Sequence, residues 1–578
     1  MKKLSICKLP ENSSLLLFAI IMLAFLPTGY GQDKTGDQLK NPKRVLLEIP
    51  DGAYVASPRE MHATSPAYRF YSQGFSIVQV NVNIEGNNIV NDAANEPSIA
   101  FNPNDPGKIA IGWRQFDNIS NSFRQAGYGY TEDAGQTWIF PGVIDPGIFR
   151  SDPVLGSDGD GNFYYNSLTV GGDEYWCNVY KSDDGGSSWG MGTYAHGGDK
   201  QWMSIDKTSG IGAGNIYEFW STASSCYPYL FTRSTDNNLS YEDCSSIPGD
   251  PYWGTTFVSP DGELYVGGAL WSGFMVAKSS NAQNSGEDVS WDFTVSVDLN
   301  GQIVGFGGYE CPNPGGLLGQ TIITMDSSGG PGNGIIYLLC SVERFSTSDP
   351  CDIMFARSTD GGLTWSFPVR VNDDPGNNAY QWFGTMSVAP DGRIDVIWLD
   401  TRDNSGLVNS ALYYSYSLDQ GLTWTQNVKL SDSFNPHIGW PQQDKMGDYF
   451  DMYSDDAGAH LAWAATFNGE QDVYYSVITP SYVGMAEKGR GSFVSLLQNF
   501  PNPFMDKATI RYNLIEKGFI SLKVYTMTGR EVTTLVNEIQ ETGLHQAVFN
   551  ATGLESGVYY YRLQAGGLYE TRRLVLLR

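Results

Sequence analysis

The stretch Ser-Thr-Asp-Gly-Gly-Leu-Thr-Trp at 358–365 decides how this chain is read. The same form, Ser/Thr-x-Asp-x-Gly-x-Ser/Thr-Trp, returns as TEDAGQTW (131–138), SDDGGSSW (182–189) and SLDQGLTW (417–424). A degenerate copy, STDNNLSY, occupies 234–241, and a stretched one spans 279–291. The aspartates Asp133, Asp184, Asp236, Asp360 and Asp419 are placed to accept hydrogen bonds from nearby backbone N–H groups, while the glycine supplies a conformation that a Cβ disfavours. The closing aromatic is an apolar anchor between neighbouring strands. Such a turn builds structure and leaves its aspartate no catalytic role.

A second repeated element precedes each turn. FVSPDGELYVGG (257–268) parallels SVAPDGRIDVIWLD (387–400), and both read as strand, Asp-Gly turn, strand. Looser copies begin at 98, 154, 204, 321 and 452, which makes seven units. Units of this kind that stack in a ring form a β-propeller, an architecture that leaves only short edges exposed. The fold class is therefore all-β, a propeller of seven blades with six as the alternative, spanning 76–479. The strand at 76–84 is placed to complete the final blade and tie the ring shut. Asp158-Gly-Asp160-Gly-Asn162 has the look of a calcium loop, but Thr169 stands where an EF-hand carries glutamate, so a hairpin turn is the better reading.

The turns resemble the Asp-boxes, or BNR repeats, of sialidases and related propellers, whose familiar members have six blades. At the other end, LLQNFPNPF (496–504), followed in order by ATIRYNL, SLKVYTMTGREVTTLVNE, SGVYYYRLQAGG and ETRRLVLLR, resembles the type IX secretion C-terminal sorting domain. That resemblance implies a small β-sandwich at 496–578, handled by the type IX machinery, in a protein secreted from or attached to the outer surface of a Gram-negative bacterium. Lys2, Lys3 and Lys8 before an apolar run at 15–26 read as a signal peptide over 1–31. No transmembrane segment is expected in the mature chain. Residues 32–75 form an N-terminal extension, and 480–495 a linker.

Composition agrees with export. The chain of 578 residues holds 66 glycines and 15 tryptophans, and its 36 basic against 63 acidic residues give a net charge of −27. Such acidity repels phosphate backbones and excludes a nucleic-acid partner. Of the six cysteines beyond the signal, Cys340 with Cys351 and Cys226 with Cys244 are candidate disulfides, which leaves Cys177 and Cys311. Buried thiols are the alternative. No CxxC pair or HExxH run is present, so no metal and no cofactor are expected.

In a propeller the box turns occupy one face, and the opposite face is built by the loops between second and third strands and between blades. Residues at the start of the innermost strands crowd the channel there: Glu96, Asp152, Asp199, Lys200, Asp444, Lys445 and Asp448. Charge converging on a channel makes a candidate site, with internal salt bridges between blades as the alternative. Trp202, Trp253 and Trp382 recur nearby as candidate sugar platforms. The sialidase resemblance implies arginines gripping a carboxylate, a tyrosine nucleophile and an acid/base aspartate. By position the grip falls to Arg114, Arg124, Arg150, Arg344 and Arg402. The acids are Asp152, Asp199, Asp400 and Glu470, and the phenol is Tyr449. The family's Arg-Ile-Pro motif is absent, so these are positional assignments. The expected function is an exo-glycosidase of sialidase type acting on a glycan. The alternative is a propeller that binds a polysaccharide or protein without catalysis.

Overall fold

A computed structural model describes residues 53–480 and 494–577, apart from short interruptions at 173, 224, 306–309, 348, 377, 405–407, 497–498, 500, 515–516, 527–529 and 566–567. The expected signal peptide and most of the linker lie outside the described residues. Seven antiparallel meanders follow one another in chain order. Their innermost strands are Ala93–Phe101, Ser151–Ser157, Trp202–Ile205, Tyr252–Val258, Ile322–Met325, Gln381–Val388 and Asp451–Ser454. Each touches the next, and the seventh touches the first, so the ring closes with seven blades.

Closure is made by the N-terminal segment. Phe75–Gln79 pairs antiparallel with Asp472–Ile478 and becomes the fourth strand of blade 7, as the apolar alternation at 76–84 predicts. The sheet also reaches upstream of residue 76, because Arg69–Ser72 adds a fifth strand outside it. Blade 3 has three regular strands, and a bridge between Phe231 and Ser245 stands in for the fourth.

The repeated turns show why their residues recur. Ser358 donates to Asp360 Oδ1 at 2.8 Å, and the Thr364 N–H and hydroxyl reach the same carboxylate at 2.9 and 2.6 Å. Gly362 N–H returns to Ser358 Oγ at 2.9 Å. The Asp133, Asp184, Asp236 and Asp419 turns repeat this pattern, Asp236 with Asn238 in the glycine's place. Donors from Thr364 and then Ser358 hold the Asp360 carboxyl down at about 2. The terminal tryptophans staple each blade to the one before. Trp138 packs on Tyr475 of blade 7, Trp189 on Tyr128 of blade 1 and Trp424 on Phe355 of blade 5. The Asp158 loop is a hairpin turn, with its carboxylate satisfied by the Asp160 and Asn162 N–H groups and the Tyr164 hydroxyl.

Cys226 and Cys244 form a disulfide. The Cys340–Cys351 bridge does not form, and both thiols are buried. Cys340 lies opposite Met354, so Cys351 is three residues further along the partner strand, roughly 10 Å away at strand rise. A disulfide requires Cα atoms within about 7 Å.

The C-terminal residues form a separate antiparallel sandwich. Val494–Leu496, Lys507–Leu514 and Gly543–Asn550 make one sheet, and Glu531–Gln540, Gly518–Thr526, Gly557–Ala565 and Leu568–Leu576 the other. Its core holds Ile510, Tyr512, Leu522, Val524, Tyr561, Leu563 and Leu574.

Candidate functional site

Each innermost strand carries, within its first four residues or up to four residues ahead of it, one residue in the left-handed region at the corresponding position. These are Glu96 (φ 53), Asp152 (φ 49), Lys200 (φ 59), Trp253 (φ 49), Gly319 (φ 151), Phe383 (φ 55) and Gly447 (φ 99). Each non-glycine member costs roughly 1–3 kcal/mol of backbone strain. In blades 1, 2, 4 and 6 a register shift in the pairing accompanies it, so the strand bends where it meets the channel. Gly447 is required for a second reason, since a Cβ there would stand 2.6 Å from the Glu96 Cβ.

The bends bring the predicted charges together and bury them. Lys200 Nζ lies 3.1 Å from Asp199 Oδ1 and 2.8 Å from Asp448 Oδ2, and Lys445 Nζ reaches Asp448 Oδ2 at 2.9 Å. Arg114 Nε lies 3.2 Å from Glu96 Oε2. Asp152 accepts from Lys200 N–H at 3.1 Å and from the Ser151 hydroxyl at 2.6 Å. None of these side chains is more than 4% exposed. The segment 313–317 adds a cover, with Leu317 N–H donating to Asp448 Oδ1 at 2.8 Å and Asn313 donating to the Gly447 carbonyl. These bonds join blades 2, 3 and 7 to the segment leading into blade 5, and the Glu96–Arg114 pair of blade 1 packs against Gly447 beside them.

Burial sets the protonation. Desolvation pushes the Glu96 carboxyl up to about 8; Arg114 opposes this, while Asp152 and Asp448 add to it. Tyr449 is buried, donates to the Pro153 carbonyl at 2.7 Å, and has a phenol well above its ordinary range through desolvation and then Glu96 and Asp152. A phenol so held stays neutral and is a poor nucleophile. The channel itself is a cavity of about 730 Å3 lined by all seven innermost strands, including Met203, Thr256, Ile323, Met386 and Met452. None of Glu96, Asp152, Asp199, Lys200, Lys445 and Asp448 lines it.

The arginines are not brought to one point. Arg124 donates to Ser151 and to the Ser122 carbonyl and stacks on Phe149. Arg150 is paired with Asp145 at 2.9 Å, Arg344 with Asp352, and Arg402 with Asp400 at 2.8 Å and Asp373 at 2.7 Å. Arg344 and Arg402 belong to blades 5 and 6, three and two blades around the ring from Arg114 and Arg124 in blade 1. Glu470 accepts from Asn88 at 2.8 Å and Asn91 N–H at 2.7 Å, which fastens the N-terminal segment to blade 7. Asp400 accepts from Trp398 at 2.8 Å. The tryptophans do not form a platform. Trp382 is fully buried against Phe383 and donates to Ser410, Trp202 packs on Tyr449, and Trp253 is half-buried beside Tyr252. Nor are they equivalent in register, since Lys200, Trp253 and Phe383 hold the left-handed position.

Several titratable groups escape a reading by sequence. Desolvation pushes Glu218 up to about 8 between blades 2 and 3, and Asp472 to about 7 beside Asn81 and Glu470. Desolvation and then Asp352 push Asp349 up to about 7. The signal for the cluster around Asp349 and Asp374 was the run NDDPGNN at 372–378, an unusually dense set of polar loop residues between blades 5 and 6.

Among the described residues no helix is long and apolar enough to cross a membrane. Residues 498–577 match the family described as the secretion system C-terminal sorting domain. No curated protein matches the chain. Among solved structures the chain is similar to a protein of unknown function from Dyadobacter fermentans, with 14% identity and a TM-score of 0.40 over 70% of this chain and 99% of that one. It is similar to the endosialidase of phage phi92, with 10% identity and a TM-score of 0.40 over 88% and 80% of the two chains. For the Trypanosoma rangeli sialidase the identity is 10% and the TM-score 0.34, over 87% and 89%. The chain is a seven-bladed β-propeller followed by a type IX secretion sorting domain, and the protein is secreted or held at the outer surface of a Gram-negative bacterium.

Proposed function

We propose that this protein is an exported glycan-recognising propeller that binds its ligand and does not hydrolyse it. The observation that carries the reading is the state of the acids beside the channel: Asp152, Asp199 and Asp448 do not line it, and all three are buried and bonded to Lys200, two of them to its ammonium and Asp152 to its backbone N–H. A glycosidase needs a pair of carboxyl groups about 5–10 Å apart that face a sugar and differ in protonation. Buried ion pairs of this kind instead fix how blades meet, and removing one partner costs about 3–5 kcal/mol because the other charge is stranded. The glycan class follows from the resemblance of the repeated turns to those of sialidases. An acidic sugar is disfavoured, because each candidate arginine already has a partner and the chain carries −27.

The test is a screen of the mature protein against chromogenic glycosides, alongside retention on immobilised polysaccharides. Retention without turnover is expected, and Asp199→Asn should lower the melting temperature. Turnover that is abolished by Asp199→Asn or Glu470→Gln in a folded variant would restore the hydrolase reading.

A further inference from the structure

The buried cluster around Lys200 holds more chemistry than an ion pair needs. Lys200 Nζ lies 2.8 Å from Asp448 Oδ2 and 3.1 Å from Asp199 Oδ1, and Lys445 Nζ lies 2.9 Å from the same Asp448 oxygen. The other Asp448 oxygen accepts the Leu317 N–H at 2.8 Å. All four charged side chains are buried, and none of them lines the channel cavity. Lys200 leads into the innermost strand of blade 3 and Asp448 into that of blade 7, and these blades are not neighbours in the ring.

These contacts are those of an amine held against a carboxyl group. A nitrogen 2.8 Å from one carboxylate oxygen stands roughly 3–3.6 Å from the carboxyl carbon, close to the spacing of a near-attack geometry. Groups aligned in this way react with effective molarities on the order of 10⁵–10⁸ M. Burial favours the product, because a dry interior penalises both charges and an amide carries neither. It also keeps out the water that would hydrolyse the bond.

We propose that Lys200 and Asp448 condense to an intramolecular amide that braces blade 3 to blade 7 across the ring. The Lys200 ammonium passes one proton to Asp448 Oδ2, and the free amine attacks Cγ. The Leu317 N–H stabilises the oxyanion that develops on Oδ1, as a donor aimed at developing charge does. Asp199 takes a second proton from the new N–C nitrogen as general base, and Lys445 protonates Oδ2, whose bond to carbon breaks as water leaves. The proton on Asp199 returns to Lys445 by way of that water. One N–C bond forms and one C–O bond breaks, and both hydrogens of the water are supplied by the Lys200 ammonium. The step needs no oxidant or reductant. The four side chains carry no net charge before it, and Asp199 with Lys445 carry none after it. The link concerns the chain alone and stands apart from glycan binding.

The experiment is intact-mass and tandem mass spectrometry of the mature protein. The mass is expected to fall short of the sequence by one water, once the two hydrogens lost in the Cys226–Cys244 disulfide are counted. A tryptic peptide should run uncut through Lys200 and be joined at Asp448 to the peptide that begins at Met446. Lys200→Arg keeps the charge and cannot form the amide in the same way, so it should have the full mass and run more slowly than the parent on a reducing denaturing gel. Asp199→Asn should lower the linked fraction in freshly expressed protein at least about tenfold, since it removes the base. The parent is read without any variant, so a variant that does not fold leaves the test decisive. A parent of full sequence mass, or a water loss that maps to residues other than Lys200 and Asp448, would overturn the proposal. A link that forms undiminished in Asp199→Asn would overturn the route through Asp199.

Discussion

Gly135 shows how one residue fixes the contact between two blades. It sits at φ +82 in the first repeated turn, and a Cβ there would collide with the ring of Tyr475 in blade 7. Gly135→Ala therefore combines left-handed strain with overpacking, and a loss of roughly 2–4 kcal/mol is expected in denaturant unfolding. A loss below 0.5 kcal/mol would mean that the turn relaxes freely and does not register the blades. The burial of the charged residues beside the channel is decided at this scale as well. Charge type and position were legible from the repeats, whereas burial was not. Asp448 is covered by Leu317, a residue about 130 positions away whose role no local pattern announces.

At the scale of the element, two links hold segments that local propensity would leave loose. The strand Phe75–Gln79 closes blade 7, with Ile77 fully buried between layers. Ile77→Asp would bury an unpaired charge and expose the edge of Asp472–Ile478; loss of the cooperative thermal transition and aggregation on size-exclusion chromatography are expected. A soluble variant that melts as the parent does would show that the ring closes without this strand. The Cys226–Cys244 disulfide closes a loop of 18 residues within the short third blade, around its strand Phe231–Ser234. Loop-closure entropy gives it about 3 kcal/mol, so the double Cys→Ser variant should lose about that much unfolding free energy in denaturant titration. The strands themselves, and the N-terminal one among them, were readable from alternation and turn residues. Their pairing across almost 400 residues was an inference from ring closure alone.

The whole molecule gathers buried acids whose carboxyls lie above their ordinary range: Asp451 at about 6, Asp349 and Asp472 at about 7, Glu96 and Glu218 at about 8, each chiefly through desolvation. In the unfolded chain these groups titrate near 4. Raised carboxyls give stability that is complete below about pH 4 and is lost progressively as pH rises from there to the raised values at 6 to 8. Asp360, held at about 2, acts in the opposite sense, and its contribution is lost only as pH falls from about 4 toward 2. The melting temperature should accordingly be highest near pH 4, fall between about pH 4 and 8 and level off above that, with Glu96→Gln making the fall shallower. A melting temperature that climbs from pH 6 to 9 would contradict the burial of these carboxyls. By itself the sequence determined the repeat, the seven units, the logic of the turns and the export address, because each is written in local spacing that backbone geometry obeys. Only the tertiary structure decided what the charged residues do. Whether a carboxylate lines a cavity or locks two blades depends on which distant segments cover it, and those contacts form only when the ring closes.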